Sequence, residues 1–251
     1  MVKVSYFAVD VDGTLTDADS KLELAAISEV RRLESRGYRV ILTSGQCFQA
    51  LATLSRYIGA CGITVGENGG VIGRGLEIVD VLGDKRKALA GFKILRSKLG
   101  EGVKRKPSLP RSVDIVLERT FDVNLGNMIL LREKAGARIF DSGFAYHLLS
   151  DGVDKGAGLR RAAELFGFDC GEVVAVGDGL NDIELFKSVA YSVALANAPQ
   201  EVKRAADAVV IGSYGSGFCE AVQFIAEKFG LKLSKEGHVG ASNNPQTSSH
   251  W

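Results

Sequence analysis

The sequence predicts an α/β fold: a parallel sheet with helices on it, interrupted by a smaller inserted α+β domain. Three observations predict it. Apolar strand-like runs alternate with helix-like segments over the first 79 residues. That rhythm breaks between about 80 and 151, then resumes to about 233. Four of the apolar runs end in short loops rich in acids, hydroxyls and glycine. Alternating strands and helices are the mark of a parallel sheet.

Taken in order, Val4 to Val9 is a continuous apolar run and reads as a buried strand ending in Asp10-Val11-Asp12-Gly13-Thr14-Leu15. Lys21 to Arg36 has helical spacing at Leu22, Ala25, Ala26, Val30 and Leu33, with Gly37 suited to stop it. Tyr38 to Leu42 is a second strand, ending at Thr43-Ser44-Gly45. Phe48 to Ile58 is a second helix, and Ile63 to Val65 a third strand running into Gly66-Glu67-Asn68-Gly69-Gly70. Right-handed crossovers put such strands side by side. From Ile78 the pattern changes. Lys85 to Leu99 predicts a helix with a basic face, Gly100 to Arg111 a loop and Val113 to Leu117 a strand. Asn124 to Ala135 predicts a helix capped by Asp122 or Asn124. Arg138 to Asp141 and Phe144 to Leu149 predict a hairpin turned at Ser142-Gly143. After it come a helix from Gly156 to Phe166 and a strand from Val173 to Val176. The loop Gly177-Asp178-Gly179-Leu180-Asn181-Asp182 leads into a helix through Ser188. Strands at Tyr191–Leu195 and Ala208–Ile211 and a helix at Phe218–Phe229 complete the pattern. The expected division is 1–79 and 152–233 for the core, 80–151 for the insertion, and 234–251 for a polar tail expected to be disordered.

Composition narrows the chemistry. The chain has 251 residues, 46% apolar and 24% charged, enough for a substantial core. A net charge of +1 provides no global field to recruit nucleic acid or an anionic membrane. No apolar run is long enough to cross a bilayer, and the opening residues read as a strand rather than a signal peptide. Cys47, Cys61, Cys170 and Cys219 are scattered, without a CxxC, which fits a reducing, cytoplasmic setting. Of three histidines only His147 lies in folded-looking sequence, so chemistry built on several histidines is disfavoured. The abundant hard ligands are carboxylates, which suit Mg²⁺.

The four loops share one position. Asp10/Asp12, Ser44-Gly45, Asn68-Gly69 and Asp178/Asp182 each follow a strand, and an open parallel sheet binds ligands outside the carboxyl ends of its strands. Four acids in one crevice cannot all ionise without a cation, and Mg²⁺ supplies one. Gly13, Gly45 and Gly179 leave backbone N–H groups free to approach an anion, and Lys155 adds a positive charge. Cation, hydroxyl and bare amides make a phosphate site. A carboxylate there can attack phosphorus, and a second one two residues on can carry protons.

DVDGTLTD, TSG, DKG and GDGLND, in that order, resemble the four motifs of the haloacid dehalogenase superfamily of phosphohydrolases. The resemblance covers all but the tail. It implies a Rossmann-like core and makes the insertion a type 2 cap. GENGG, the short αβαββ cap and SGFAYHLLSDGVDKG further resemble the archaeal-type phosphoglycolate phosphatases. By that resemblance Asp10 is the nucleophile and Asp12 the acid/base. Lys155 steadies phosphate and nucleophile, and Ser44 matches the hydroxyl motif. Read from the residues themselves, Gly45 offers its amide to the substrate, and Asn181 either contacts phosphate or simply opens its helix. Mg²⁺ is held by Asp10, Asp178, Asp182 and the backbone carbonyl of Asp12. Gln46 departs from the pattern, since many relatives carry Arg there. The partner implied is a small phosphorylated metabolite, with 2-phosphoglycolate foremost and sugar phosphates or a mutase reaction as alternatives. A homodimer is also compatible. A phospho-accepting signalling module, the rival from another class, needs neither the second Asp nor a cap.

Within the insertion, Arg111, Arg119 and His147 are the side chains to watch, because a small anionic acid wants a cation near its carboxylate. Asn68 is a candidate substrate contact. His147 alternates with Tyr146 and Leu148 on a strand and reads first as structural. Lys104-Arg105-Lys106 reads as a solvated loop, with no aromatic interleaving to favour nucleic acid.

Overall fold

A computed structural model describes residues 3–233; the expectation about the tail lies outside them. In chain order the elements are β1 (Tyr6–Asp10), α1 (Leu24–Ser35), β2 (Arg39–Thr43), α2 (Phe48–Ile58), β3 (Ile63–Gly66), β4 (Val71–Arg74), β5 (Glu77–Val81), α3 (Lys85–Leu99), β6 (Ile115–Leu117), α4 (Val123–Arg132), β7 (Ala137–Asp141), β8 (Tyr146–Ser150), α5 (Lys155–Phe166), β9 (Val173–Gly177), α6 (Ile183–Phe186), β10 (Tyr191–Ala194), α7 (Gln200–Ala205), β11 (Ala208–Val209) and α8 (Tyr214–Phe229).

The larger sheet runs β11-β10-β9-β1-β2-β3-β4-β5. Its first six strands are parallel, and β4 and β5 are antiparallel. Alternation along β1 explains the layers. Phe7 and Val9 enter one core with Leu33, Leu42, Val176 and Phe218. Ala8 faces the other way, into a core with Ile41, Val65, Leu159 and Leu185. All of these are fully buried. Helices therefore cover both faces, as a doubly apolar strand requires. Fully burying each of the Val, Leu, Ile and Phe side chains contributes about 1.5–3 kcal/mol.

Three elements, β4, β5 and α7, depart from the sequence expectation. Val71 to Val81 forms the β4–β5 hairpin, which carries the sheet two residues past the expected boundary. Its turn lies at Gly75, where φ is +60°. β5 is mostly exposed, so burial left no alternating pattern to read there. The six-residue α7 is too short for helical periodicity to register.

The smaller sheet, β6-β8-β7, is wholly antiparallel. α3 and α4 cover one face, with Ala88, Leu95 and Leu130 of the helices in one core with Ile139 and Leu148 of the strands. Its other face turns toward the larger sheet. Leu149 and Val113 there meet Phe48 and Val71 in an apolar seam between the two units.

Candidate active site

β1 sits mid-sheet, with β2 on one side and β9 on the other. The chain leaves β1 in one direction and returns on the opposite side. Crevices open at the carboxyl ends of strands at such switch points. The register makes the loops level: Asp10 pairs with Thr43, Thr43 with Val65, Val9 with Val176 and Gly177 with Ala194. Loops that start at one height converge.

Asp10 ends β1 and is 4% exposed. Lys155, fully buried at the start of α5, donates from Nζ to Asp10 Oδ1 and, at 2.6 Å, to Asp182 Oδ1. The other Asp182 oxygen accepts the backbone N–H groups of Asp178 (3.1 Å) and Gly179 (2.9 Å). Asp178 accepts from Thr14 Oγ1 and Asn197 Nδ2, both at 2.8 Å. Gly13, at φ +89°, lies so near that an added Cβ would collide with the Asp178 carboxylate. Asp10, Asp178 and Asp182 each bring an oxygen to within 4.8 Å of the others.

Burial pushes the Asp10 carboxyl well above its ordinary value. The Lys155 ammonium pulls it back, and Asp182, Asp178 and Asp12 push it further up. Burial, then the charge of Asp182, pushes Asp178 up to about 6. Burial works to lower Lys155, but Asp10 and Asp182 outweigh it and its pKa is raised. Three hard carboxylate oxygens gathered around a single ammonium are a donor set that fits Mg²⁺.

Asp12 stands apart from this cluster. Gln46 Nε2 donates to both its carboxylate oxygens at 2.9 Å, and Ser44 Oγ approaches at 3.3 Å. Its side chain is held by these neighbours at the cleft wall and is not among the three acids that bring oxygens together. Ser44 is fully buried and its Oγ also accepts from Gln46 N at 3.0 Å. Asn181 Nδ2 donates to Asn68 Oδ1 at 2.8 Å. Asn68 Nδ2 is buried with no partner among the described residues.

A cleft of about 420 Å³ lies between the two units, lined by Asp10, Asp12, Gly45, Asp178 and Asn181 from below and by Lys106 and His147 from above; the predicted substrate contacts Ser44 and Asn68 are buried and do not line it. Arg111 also lines it. The Arg111 guanidinium makes a two-point contact with Asp114 and donates to the carbonyl of Gly45. His147 Nδ1 meets Asp114 Oδ2 at 2.8 Å. Arg119 is not brought to the cleft; it pairs with Asp141 at 2.9 Å on the surface.

Sequence reasoning missed four residues. Thr14 and Asn197 orient Asp178. Asn197 lies just past β10, so the strand-end rule that found the other loops would have found it. Gln46, noted only as a missing cation, holds Asp12. Glu67, fully buried, accepts from Ser112 N and Val113 N at 2.8 Å and so ties the smaller unit to the core. No sequence pattern links Glu67 to those amides.

The chain belongs to the haloacid dehalogenase-like hydrolases; the family matches over residues 7–87 and 121–244. Within that class it is similar to the phosphoglycolate phosphatase of Nitrosopumilus maritimus, with 35% identity over 226 residues, 90% of this chain and 97% of the relative. It is 38% identical over 220 residues to that of Methanothermobacter thermautotrophicus, covering 86% and 96% of the two chains. A crystal structure from Thermoplasma acidophilum superposes with a TM-score of 0.77 at 25% identity, over 92% of this chain and all of that one.

Proposed function

We propose that this chain is a Mg²⁺-dependent phosphomonoester hydrolase that converts 2-phosphoglycolate and water to glycolate and phosphate. The observation that carries the reaction is the pair Asp10 and Asp12. Two residues apart, they occupy opposite settings, one buried against Lys155 and one held at the cleft by Gln46. Two carboxyls in two environments suit two roles. The relatives' names support the substrate.

An Asp10 oxygen attacks phosphorus as the bond to the leaving oxygen breaks, and Asp12 donates its proton to that oxygen. Water then attacks the acyl phosphate. Asp12 takes its proton, and Asp10 and inorganic phosphate are freed. Lys155 holds the reacting Asp10 oxygen in place. The amide of Gly45 and the side chain of Asn181 line the cleft and would take the phosphate oxygens, while Ser44 acts from behind the wall through Asp12 and Gln46. Mg²⁺, held by Asp10, Asp178, Asp182 and the Asp12 carbonyl, supplies charge neutralisation for the phosphoryl group. The smaller unit, as a cap, excludes water from the first step.

Asp10→Asn tests this. Phosphate release should fall by about a thousandfold or more. Wild-type turnover by that variant, in a colorimetric phosphate assay with a panel of esters run with Mg²⁺ and with EDTA, contradicts the mechanism. A clear kcat/KM preference for hexose phosphates contradicts the substrate.

A further inference from the structure

The proposed substrate carries a second anion, its carboxylate, on the leaving-group side of the phosphorus. The cap wall of the cleft has to answer that charge. Two cap cations line the cleft, Lys106 and Arg111. Arg111 is already neutralised: Asp114 meets its guanidinium at two points, and the group is only 9% exposed. Lys106 is different. Its Nζ donates to the carbonyl of Phe144 at 2.8 Å, and it has no carboxylate partner among the described residues.

The local backbone explains why Lys106 points inward. Lys104–Lys106 does not float as a loop. Lys106 N donates to Val116 O and Glu118 N to Lys104 O, both at 2.9 Å, so this stretch lies antiparallel beside β6. Successive side chains on such a strand take opposite faces. Arg105 goes to the helix-covered face, its guanidinium 4.8 Å from the centre of the Phe92 ring on α3. Lys106 goes to the open face, with Val116 and His147, and all three line the cleft. An ammonium held by one carbonyl and several flexible bonds is free to swing to an arriving anion.

We infer that Lys106 is the specificity-determining cation of the cap, pairing with the carboxylate of a phosphorylated small acid and so separating it from uncharged phosphate esters. This rests on the phosphoglycolate reading above.

The test compares 2-phosphoglycolate with ethyl phosphate, which keeps the ester and lacks the carboxylate. The quantity read is the ratio of their kcat/KM values in wild type, Lys106→Gln and Lys106→Arg. Losing a charged hydrogen bond to substrate changes affinity by about tenfold or more. The ratio should therefore fall at least tenfold in Lys106→Gln, chiefly through a raised KM for 2-phosphoglycolate, and recover in Lys106→Arg. A wild-type preference that survives in Lys106→Gln overturns the role of Lys106 and leaves the substrate reading standing. Absence of any carboxylate preference in the wild type overturns both.

Discussion

At Lys155 an ammonium without access to water stands between two carboxylates, Asp10 and Asp182. Desolvating such a group costs several kcal/mol, so it persists only because both carboxylates accept from it. Replacing it by Met leaves two buried acids facing each other. Lys155→Met should lose about 3–5 kcal/mol of stability, read by urea unfolding without metal, together with nearly all turnover. Wild-type stability and rate in that variant would contradict the pairing. Asp10, Asp12, Ser44, Asp178, Asp182 and Lys155 were all legible as candidates, because strand ends and turn residues can be read from local pattern. Their partners were less so. Whether Thr14 and Asn197 reach Asp178, or Gln46 reaches Asp12, depends on side-chain direction between residues 164, 19 and 34 positions apart, which sequence spacing does not encode.

Elements hold these residues at the right height. α5 starts at Asp154, whose carboxylate caps Ala157 N at 2.8 Å. That cap places Lys155 in the first turn, beneath β1. Gly69, at φ +99°, packs against the backbone there, and an added Cβ would overlap the carbonyl of Asp154. Gly69→Ala therefore combines a disfavoured backbone angle with a clash that displaces the start of α5. It should cost about 1–3 kcal/mol or more, measured as a lowered Tm, with activity falling alongside as Lys155 moves. An unchanged Tm would show that this approach is not needed. The GENGG glycines were visible in the sequence, but the element they press against lies some 85 residues later. The exposed β5 and the short α7 escaped notice for the opposite reason, having too little buried surface to leave a pattern.

For the molecule as a whole, acids gathered from both halves of the chain tie stability to pH and metal. The Asp178 carboxyl is raised from 3.8 to about 6, and Asp10 is raised as well. The sign follows from proton binding. Raised carboxyls favour the folded state fully below the unfolded value of 3.8, and that contribution is lost as pH rises through about 6. Metal-free protein should thus lose stability across this window. Mg²⁺ should restore it at neutral pH and do little at pH near 4, where protons already occupy the site. The gain in Tm on adding Mg²⁺, followed by scanning calorimetry, should grow from about pH 4 to 7. An equal gain at both ends would place the metal elsewhere.

By itself the sequence determined the α/β class and the strand-end carboxylates with their companion lysine, and it predicted an interruption of the α/β rhythm. Those features are written in short-range apolar periodicity and in turn residues, which act within a few positions of themselves. Only the tertiary structure decided which strands adjoin β1, that Asp10 and Asp182 share Lys155, and that Asp12 is held apart from both. It likewise decided which cap cation is already spent on Asp114 and which has no carboxylate partner among the described residues. Strand pairing and charge compensation join residues far apart in the chain, so their outcome depends on packing and burial that no local stretch contains.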